Sequence, residues 1–493
     1  MAFMPADDLE RRIGAHSFAR LLGQWRPPDG RALAAALADQ VRLLVLDGRL
    51  ALGTRVPAER ELAAALDVSR TTVAHAYESL RENGFLHSRR GSGSWTRLPD
   101  ARAGQPSALG AFTPINDDSI HDLAFAALPA PLDVVRAAAA AAVNDLDVHL
   151  TSHGYEVTGL PVLRDAIARR YTERGLPTTA DQILVTSGAQ NAIALVLNAL
   201  VNAGDRVLVE HPTYPNALDA IRVRGGRPVP VQLAADGWDL DQLTAGVRDA
   251  APRLAYLIPD FQNPTGHLLS GDDREAVIAL ARRTGTTLVV DETLSELPLS
   301  VPQPLPFAVH GGAAESSLVI SIGSASKIFW GGLRVGWIRA SATTIRRLAS
   351  VRPAIDLGGS VISHLLAARL IDDIAAVAAT RRTELLAARD HLRGRLAELF
   401  PTWTATRPGG GLSLWIDLGT PASSRLASAA RRHGVLLAAG PRFGVDGAFE
   451  RNLRLPFTLR RDRMDAALDG LAHAWQGLDG IPVVGDADPI AVA

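Results

Sequence analysis

The sequence predicts an α/β protein with a mostly parallel sheet, preceded by a small domain of short helices and a β-hairpin. From about residue 120 to 480, apolar runs typical of buried strands alternate with helical segments, which indicates βαβ units. Residues 28–97 form the small domain, and residues 98–119 are a linker rich in Pro, Gly and Ala without sustained periodicity. The length of 493 residues is sufficient for roughly two to four domains.

The composition excludes several classes of function. The formal net charge of −1 leaves no general polycation, so a nucleic-acid contact must come from a local patch. Because the chain has no cysteine, thiolate catalysis and thiolate metal sites are excluded, and we expect no metal centre. The acidic first residues are unlike a secretion signal, and no apolar run reaches about 18 residues. We therefore expect a cytoplasmic protein without a membrane span.

The N-terminal elements follow the order of a winged helix-turn-helix. An apolar helix is predicted from Ala34 to Val45, and a second from Pro57 to Leu66, with proline and acids in its first turn. The tight turn Asp67-Val68-Ser69 then precedes a third helix from Arg70 to Asn83, which Ser69 can cap. A helix in this position presents its first turn to base edges and phosphates.

Two short strands with a glycine-rich end complete this domain. The same element order occurs in purely structural three-helix units, and the first 100 residues hold 14 basic against 12 acidic side chains, so charge alone decides nothing. The runs GTRVPAERELA from Gly53, VSRTTV from Val68 and RGSGS from Arg90 closely resemble the DNA-binding domain of GntR-family bacterial regulators. The resemblance implies DNA contacts from Arg60, Ser69, Arg70, Thr71, Thr72, Arg89, Arg90, Gly91 and Gly93.

Lys327 is the only lysine in a chain with 50 arginines. It lies in the small-residue loop SASK, and Arg334 follows seven residues later in GLRVG. A desolvated lysine amine loses its proton and forms a Schiff base with an aldehyde, whereas an arginine stays protonated. The alternative is an accident of an arginine-rich composition, which would rarely leave the single lysine between hydroxyls and a downstream arginine. Lys327 is therefore predicted to bind an aldehyde cofactor covalently.

The ends of the predicted strands carry donors that the phosphate of pyridoxal phosphate requires. Ser187-Gly188-Ala189 follows a buried strand and opens a helix, whose free N–H groups point outward. Ser324, Ser326 and Arg334 add hydroxyl and guanidinium donors. One such turn is common in α/β folds, but these elements around the lone lysine predict a cofactor site at the carboxyl edge of the sheet.

Three further residues match the demands of the pyridine ring. Asp291, at the end of a buried strand, is predicted to keep the ring nitrogen protonated. Tyr214 is the candidate that stacks on the ring face, and Asn263 is the candidate donor to its phenolic oxygen. Each has a plainer alternative: Asp291 as a helix cap, Tyr214 as a core residue and Asn263 as part of a turn.

The order SGAQ, PTY, NPTG, Asp, SxSK and GLRxG resembles fold-type-I aminotransferases. The resemblance implies helices on both faces of the sheet, a smaller C-terminal subdomain at about 370–480 and pyridoxal 5′-phosphate as cofactor. It also implies that Arg454, in the run NLRLPF, holds the carboxylate of a ligand; the alternative is a salt-bridged surface arginine. One departure is that the family usually has a tyrosine two or three residues after the aspartate, where this chain has Thr293 and Leu294.

The combination of the two parts resembles the MocR subfamily of GntR regulators. The resemblance implies a pyridoxal-phosphate-dependent transcriptional regulator that binds a double-stranded DNA operator, senses the cofactor or a small amino-acid or amine effector, and forms a homodimer. An active aminotransferase with an appended regulatory domain is the competing hypothesis, which the absent tyrosine weakens. A cofactor-binding scaffold without DNA affinity is a third.

Overall fold

The computed structural model describes residues 12–23, 25–26, 33–46, 50, 54–89, 93–97, 119–312, 318–445 and 447–478. The proposed linker at 98–119 lies outside this range except for Ser119. Arg90, Gly91 and the side chain of Arg89 also lie outside it. The predicted DNA contacts in the wing are therefore described only at Gly93.

The N-terminal domain is built on one apolar core. Its fully buried side chains include Leu37, Leu62 and Val73, and the Tyr77 hydroxyl donates to the Pro57 carbonyl over 2.9 Å. A first helix that the sequence analysis missed adds Phe18 to this core. The elements are α1 (Ala15–Leu22), α2 (Leu33–Leu46), α3 (Glu59–Leu66), α4 (Arg70–Glu82) and the antiparallel pair β1 (Leu86–Arg89) and β2 (Gly93–Thr96).

The large domain contains an eight-stranded sheet in the order β4-β11-β10-β9-β8-β5-β6-β7. Strands β10, β9, β8, β5 and β6 run parallel, and β11 is antiparallel to both of its neighbours, so the sheet is mostly parallel as predicted. The strands are β4 (Ile183–Thr186), β5 (Arg206–His211), β6 (Arg227–Ala234), β7 (Gly237–Trp238), β8 (Leu254–Leu257), β9 (Thr287–Asp291), β10 (Val319–Ser324) and β11 (Gly336–Arg339).

A second sheet of five strands has the order β12-β13-β15-β14-β3. Its edge strand β3 comes from before the large sheet, so the small subdomain includes residues 121–123 in addition to the C-terminal part expected at about 370–480. Local periodicity does not reveal such a partner, because β3 has only three residues. The strands are β3 (His121–Leu123), β12 (Thr404–Ala405), β13 (Ser413–Asp417), β14 (Val435–Ala439) and β15 (Asn452–Pro456).

Helices connect and cover these sheets, and buried side chains on them contribute to the two larger apolar cores. No helix in the described part of the chain is both long and apolar enough to cross a membrane. They are α5 (Leu132–Asn144), α6 (Pro161–Glu173), α7 (Ala189–Leu200), α8 (Pro215–Val223), α9 (Leu240–Ala250), α10 (Gly271–Thr284), α11 (Ala325–Ile328), α12 (Ala342–Val351), α13 (Val361–Asp372), α14 (Ile374–Leu399), α15 (Ser423–Arg431) and α16 (Arg461–Gln476).

Candidate functional site

A cavity of about 480 Å³ lies where the carboxyl ends of the parallel strands face the second sheet. Its volume is in the range typical of small-molecule sites. Because β5, β8, β9 and β10 are parallel, the residues that follow them meet at one edge. The lining includes these sequence-predicted residues: Ala189, Tyr214, Asn263, Asp291, Ser324, Ser326, Lys327, Arg334 and Arg454.

Lys327 lies in the short helix α11, directly after β10. The Ser324 hydroxyl caps this helix by accepting from the Ser326 N–H over 3.1 Å. The Lys327 Nζ donates to the Ala126 carbonyl over 2.7 Å. Burial, together with the positive charge of Arg454, lowers the pKa of the Lys327 amine to about 8, against an opposing effect of Asp291. A fraction of the Lys327 amine is thus neutral and nucleophilic near neutral pH.

The turn between β4 and α7 borders the cavity, which is lined by Ala189 at the start of α7 but not by the predicted Ser187 and Gly188. Gly188 precedes α7 with φ +104°, and the helix starts without a side-chain cap, which leaves its first N–H groups for an anion. A Cβ on Gly336 would lie 2.7 Å from the Gly188 carbonyl carbon and 2.8 Å from the Ala189 nitrogen, so this close approach of β11 requires glycine. The Arg334 Nη2 donates to the Ser187 carbonyl over 2.6 Å.

Asp291 is the buried carboxylate of the cavity. Its Oδ2 accepts from the Tyr256 hydroxyl over 2.6 Å, and its Oδ1 accepts from the Thr293 N–H over 3.0 Å. Each carboxylate oxygen keeps a second lone pair for a ring N–H. The Tyr256 hydroxyl therefore holds the Asp291 carboxylate in place.

Tyr214 and Asn263 both line the cavity, on the loops that follow β5 and β8. The Tyr214 hydroxyl accepts from Asn216 Nδ2 over 3.0 Å. Burial, and then the charge of Asp291, raises the pKa of Tyr214 to about 12, so its phenol stays protonated. Both side chains line the cavity, while Tyr214 also packs against an apolar core and Asn263 also lies in a turn.

Arg454 is only 7% exposed, so the alternative of a surface arginine is wrong. Its guanidinium donates to the Ala124 carbonyl and, over 3.4 Å, to Asn263 Oδ1, and it lies 5.0 Å from the Phe443 ring centroid. The buried Arg454 Nε has no hydrogen-bond partner among the described residues. Burial and the neighbouring Arg442 lower the pKa of Arg454 to about 10. This donor set suits a carboxylate ligand.

The side chains present fit pyridoxal phosphate. The uncapped α7 and Arg334 supply phosphate donors, Asp291 supplies the carboxylate for the ring nitrogen, and Lys327 supplies the amine. The unpartnered Arg454 Nε is a further donor for the carboxylate of an amino acid.

Sequence reasoning missed Tyr256, which binds Asp291 without lining the cavity, and several residues of the cavity itself. Tyr256 could have been predicted, because a tyrosine inside an apolar strand next to the strand of Asp291 requires a buried partner. Gln190 belongs to the SGAQ motif but was given no role. The others come from segments without a distinctive motif: Phe125, Ala126, Asn216, Arg442 and Phe443.

The predicted DNA-reading residues lie at the exposed start of α4 and on α3. The Ser69 hydroxyl caps α4 as predicted, accepting from the Thr72 N–H over 3.1 Å, and lies 2.7 Å from the Thr71 hydroxyl. Arg70 is 74% exposed and lies 3.4 Å from Glu59 at the start of α3. Arg60 is exposed as well. In the wing, a Cβ on Gly93 would lie 2.7 Å from Arg55 Nε.

The architecture matches two protein families. The model of class I and II aminotransferases matches residues 123–471, and that of the gntR family of bacterial regulatory proteins matches residues 33–95. The chain belongs to the class I and II aminotransferase family, whose fold makes pyridoxal phosphate the cofactor of this domain.

Two regulators are similar to this chain in sequence. The HTH-type transcriptional regulator YisV of Bacillus subtilis is 26% identical over 89% of this chain and 95% of its own length. The regulatory protein MocR of Rhizobium meliloti is 32% identical over 61% of this chain and 64% of its own length. With its gntR domain, the chain is a GntR regulator of the MocR subfamily.

Solved aminotransferases share the fold of the large domain. LysN, the α-aminoadipate aminotransferase of Thermus thermophilus, has a TM-score of 0.67 at 28% identity and covers 74% of this chain and 94% of its own. The kynurenine aminotransferase of Pyrococcus horikoshii has the same TM-score at 25% identity, covering 73% of this chain and 91% of its own.

Proposed function

We propose that this regulator changes its affinity for an operator when pyridoxal phosphate and an amino-acid or amine effector occupy the cavity. The cofactor supplies an aldehyde that condenses with a primary amine. Lys327 provides this amine, and Arg454 holds the effector carboxylate. The cofactor is held by Ser187, Gly188, Ala189, Tyr214, Asn263, Asp291, Ser324, Ser326 and Arg334.

Each of these residues would have a separate task. The α7 N-terminus and Arg334 would bind the phosphate, and Asp291, held by Tyr256, would orient the ring and keep its nitrogen protonated. Tyr214 would cover one ring face, and Asn263 would donate to the phenolic oxygen. Lys327, with its pKa of about 8, accepts and releases the amine proton near neutral pH.

One observation supports the regulatory proposal. Lys327 and Arg454 both donate to carbonyls of a single segment near the start, in sequence, of the large domain. Residues 124–131, here called the strap, follow β3. The Ala126 carbonyl accepts from Lys327, and the Ala124 carbonyl accepts from Arg454. The Pro129 carbonyl accepts from Arg381 over 2.5 Å.

In the sequence, the strap comes directly after β3, and the DNA-binding domain lies upstream of β3. Strand β3 pairs with β14, and the Ile120 carbonyl accepts from Arg463 over 2.7 Å. Lys327 would give up its hydrogen bond to the Ala126 carbonyl once its amine holds the cofactor, and Arg454 would exchange the Ala124 carbonyl for an effector carboxylate. The ligands therefore bind unequally to the strap-engaged and strap-released arrangements, which is the requirement for a switch.

The DNA contact in this proposal comes from α3, from the start of α4 and from the wing. Arg60, Ser69, Arg70, Thr71 and Thr72 contact the operator, with Arg89, Arg90, Gly91 and Gly93 in the wing. Two subunits of a homodimer present two such surfaces to two half-sites.

The proposal is tested by gel-shift titrations of DNA from beside the coding region, at several salt concentrations, with cofactor-free and cofactor-loaded protein. We expect specific retention, and an operator Kd that changes on loading and again with effector. The variant Arg70→Ala, which lacks one proposed operator contact, distinguishes specific retention of a DNA fragment from non-specific retention. If no fragment is specifically retained, or if loading never changes the Kd, the proposal fails.

An active aminotransferase is the second candidate, because Lys327, Asp291 and Arg454 all line one cavity. The candidates differ in turnover. Keto-acid production over many cycles, measured with loaded protein and a panel of amino acids, favours the enzyme. A stable spectral change with little or no turnover favours the regulator.

A further inference from the structure

We infer that Gln262 and Glu210, here called the clamp, hold in place the two loops whose side chains contact the cofactor. These loops follow β5 and β8 and carry Tyr214 and Asn263. The inference rests on the proposed function, since it concerns how the residues assigned to the cofactor are positioned. Gln262 is 1% exposed and Glu210 is 2% exposed, and neither lines the cavity. Both are therefore positioning residues, which act on the cofactor only through their neighbours.

The first argument is that Glu210 binds both ends of the segment between β8 and Asn263. Its Oε1 accepts from the N–H of Ile258, the first residue after β8, over 2.9 Å. Its Oε2 accepts from Gln262 Nε2 over 3.0 Å, and Asn263 follows Gln262 directly. One carboxylate at the end of β5 thus fixes where the loop leaves β8 and where it reaches Asn263.

The second argument is that Gln262 joins this loop to the loop of Tyr214. Its Nε2 also donates to the Pro212 carbonyl, two residues before Tyr214, over 2.8 Å. Its Oε1 accepts from the N–H of Thr265 over 3.0 Å and from the Thr265 hydroxyl over 2.8 Å. The amide therefore uses both of its donors and both of its acceptor positions, which fixes its orientation.

The third argument is the orientation of the Asn263 amide. Arg454 donates to Asn263 Oδ1 over 3.4 Å, so the Nδ2 group is left to donate to the phenolic oxygen of the cofactor. This geometry has to be kept within about 0.5 Å for a productive contact. A loop released from the clamp does not keep it.

The fourth argument is the charge of the acceptor. Burial raises the pKa of the Glu210 carboxyl to about 7, and the hydrogen bonds from Gln262, Ile258 and the Trp238 indole oppose this shift. Hydrogen bonds to a carboxylate are roughly twice as strong as those between neutral groups. Loss of the Gln262 donor should therefore loosen the loop more than loss of an ordinary hydrogen bond between neutral side chains.

The test measures two properties of the full-length protein: the apparent Kd of pyridoxal phosphate, and the pH midpoint at which the absorbance of the bound cofactor changes. Gln262→Met keeps the side-chain volume and removes the donors. We expect the Kd to rise about tenfold. The midpoint should rise by about half a unit or more, because losing a donor to the phenolic oxygen favours its protonated form.

A second variant and a control make the test specific. Glu210→Gln keeps the shape of the acceptor side but opposes an amide to the Gln262 amide, and it should change both properties in the same direction. Combined with Gln262→Met, it should cost less than the sum of the two, because both break one hydrogen bond. Gln303→Met is the matched control: Gln303 Nε2 donates to Glu296 over 2.6 Å, and neither residue lines the cavity. It should lower stability in denaturant titrations and leave the Kd and the midpoint at their wild-type values.

A wild-type midpoint and Kd in a folded clamp variant would overturn the inference, and either single variant decides if the other does not fold. An equal shift in the Gln303 control would also overturn it, because general loss of stability then explains the effect.

Asn263→Ala separates this inference from the proposed function. If Asn263→Ala raises the midpoint and the clamp variants do not, only the clamp is refuted. If Asn263→Ala leaves the midpoint unchanged, the cofactor role of Asn263 and the clamp are both refuted. A protein that shows every expected spectral change, but whose operator Kd is indifferent to the cofactor, refutes regulation and supports the clamp.

Discussion

The DNA-reading face and the cofactor cavity hold their charged side chains in opposite ways. Arg70 is 74% exposed and has an ion pair at 3.4 Å, a type of contact worth roughly 0–1 kcal/mol. Arg454 is 7% exposed and is bound to a carbonyl of the strap. Hydrogen bonds of charged groups contribute about 1.5–3 kcal/mol.

This difference indicates which region can act as a switch. The exposed arginine can exchange its weak partner for a phosphate without rearranging the protein. A ligand that recruits Lys327 or Arg454 must displace a strap carbonyl, and the strap must then find another arrangement. In the proposed function, the cavity therefore couples binding to structure, whereas the surface around Arg60 and Ser69 to Thr72, which would read the DNA, is preformed.

The largest effect should come from Lys327→Ala, which removes the only lysine. Borohydride reduction of the cofactor-loaded wild-type protein should increase the mass of the intact chain. In the variant we expect this increase to be lost completely. Lys327→Arg keeps the charge and should fail equally, because a guanidinium stays protonated. Attachment that survives either substitution would refute the assignment of the cavity.

On the DNA side, Arg70→Ala should weaken operator binding by about 1–3 kcal/mol and leave cofactor loading unchanged. Fluorescence anisotropy at several salt concentrations measures both the Kd and the salt slope. A slope reduced by about one indicates a phosphate contact, whereas relaxed sequence preference indicates a base contact. Unchanged affinity would exclude α4 as the reading helix.

The pH dependence of cofactor capture sharpens the contrast between buried and exposed charge. The Lys327 amine must be neutral to attack, and its pKa is about 8, lowered chiefly by burial. The initial capture rate should rise about tenfold per pH unit below this value and level off above it. In Arg454→Gln the midpoint should move upward, because the positive charge that lowers the Lys327 pKa is gone. A rate still rising at about pH 10 would contradict the buried position of the amine.

The smallest effect concerns Tyr256→Phe, which removes the hydroxyl that donates to Asp291. We expect destabilisation of about 1.5–3 kcal/mol in denaturant titrations and a shifted cofactor absorbance. Tyr171→Phe is the matched control, since the Tyr171 hydroxyl also donates to a buried carboxylate, Glu292, over 3.1 Å. It should lower stability without changing the spectrum. If the cofactor absorbance spectra of Tyr256→Phe and Tyr171→Phe are the same, Tyr256 does not position Asp291.

The sequence predicted the elements that depend on local signals. The cap at Ser69, the strand ending at Asp291 and the helix after Gly188 all follow from residues adjacent in the chain. The alternation of apolar strands and helices was sufficient to predict the mostly parallel sheet.

Contacts between distant segments could not be predicted in this way. The three-residue β3 joins a sheet whose other strands all come from Thr404 onward. The hydrogen bond from Lys327 to Ala126 joins residues that are 201 positions apart in the sequence. Arg442 belongs to no sequence motif. It lines the cavity because β14, the strand that precedes it, lies beside β15. Local sequence patterns contain no information about these long-range neighbours.

The most direct test compares operator affinity, by fluorescence anisotropy, for wild-type protein and Lys327→Ala with and without pyridoxal phosphate. If occupancy of the cavity reaches the DNA-binding domain through the strap, loading should change the wild-type Kd by about threefold or more, and the variant should not respond. A wild-type Kd that is indifferent to the cofactor, or a variant that responds as strongly as wild type, would contradict the account.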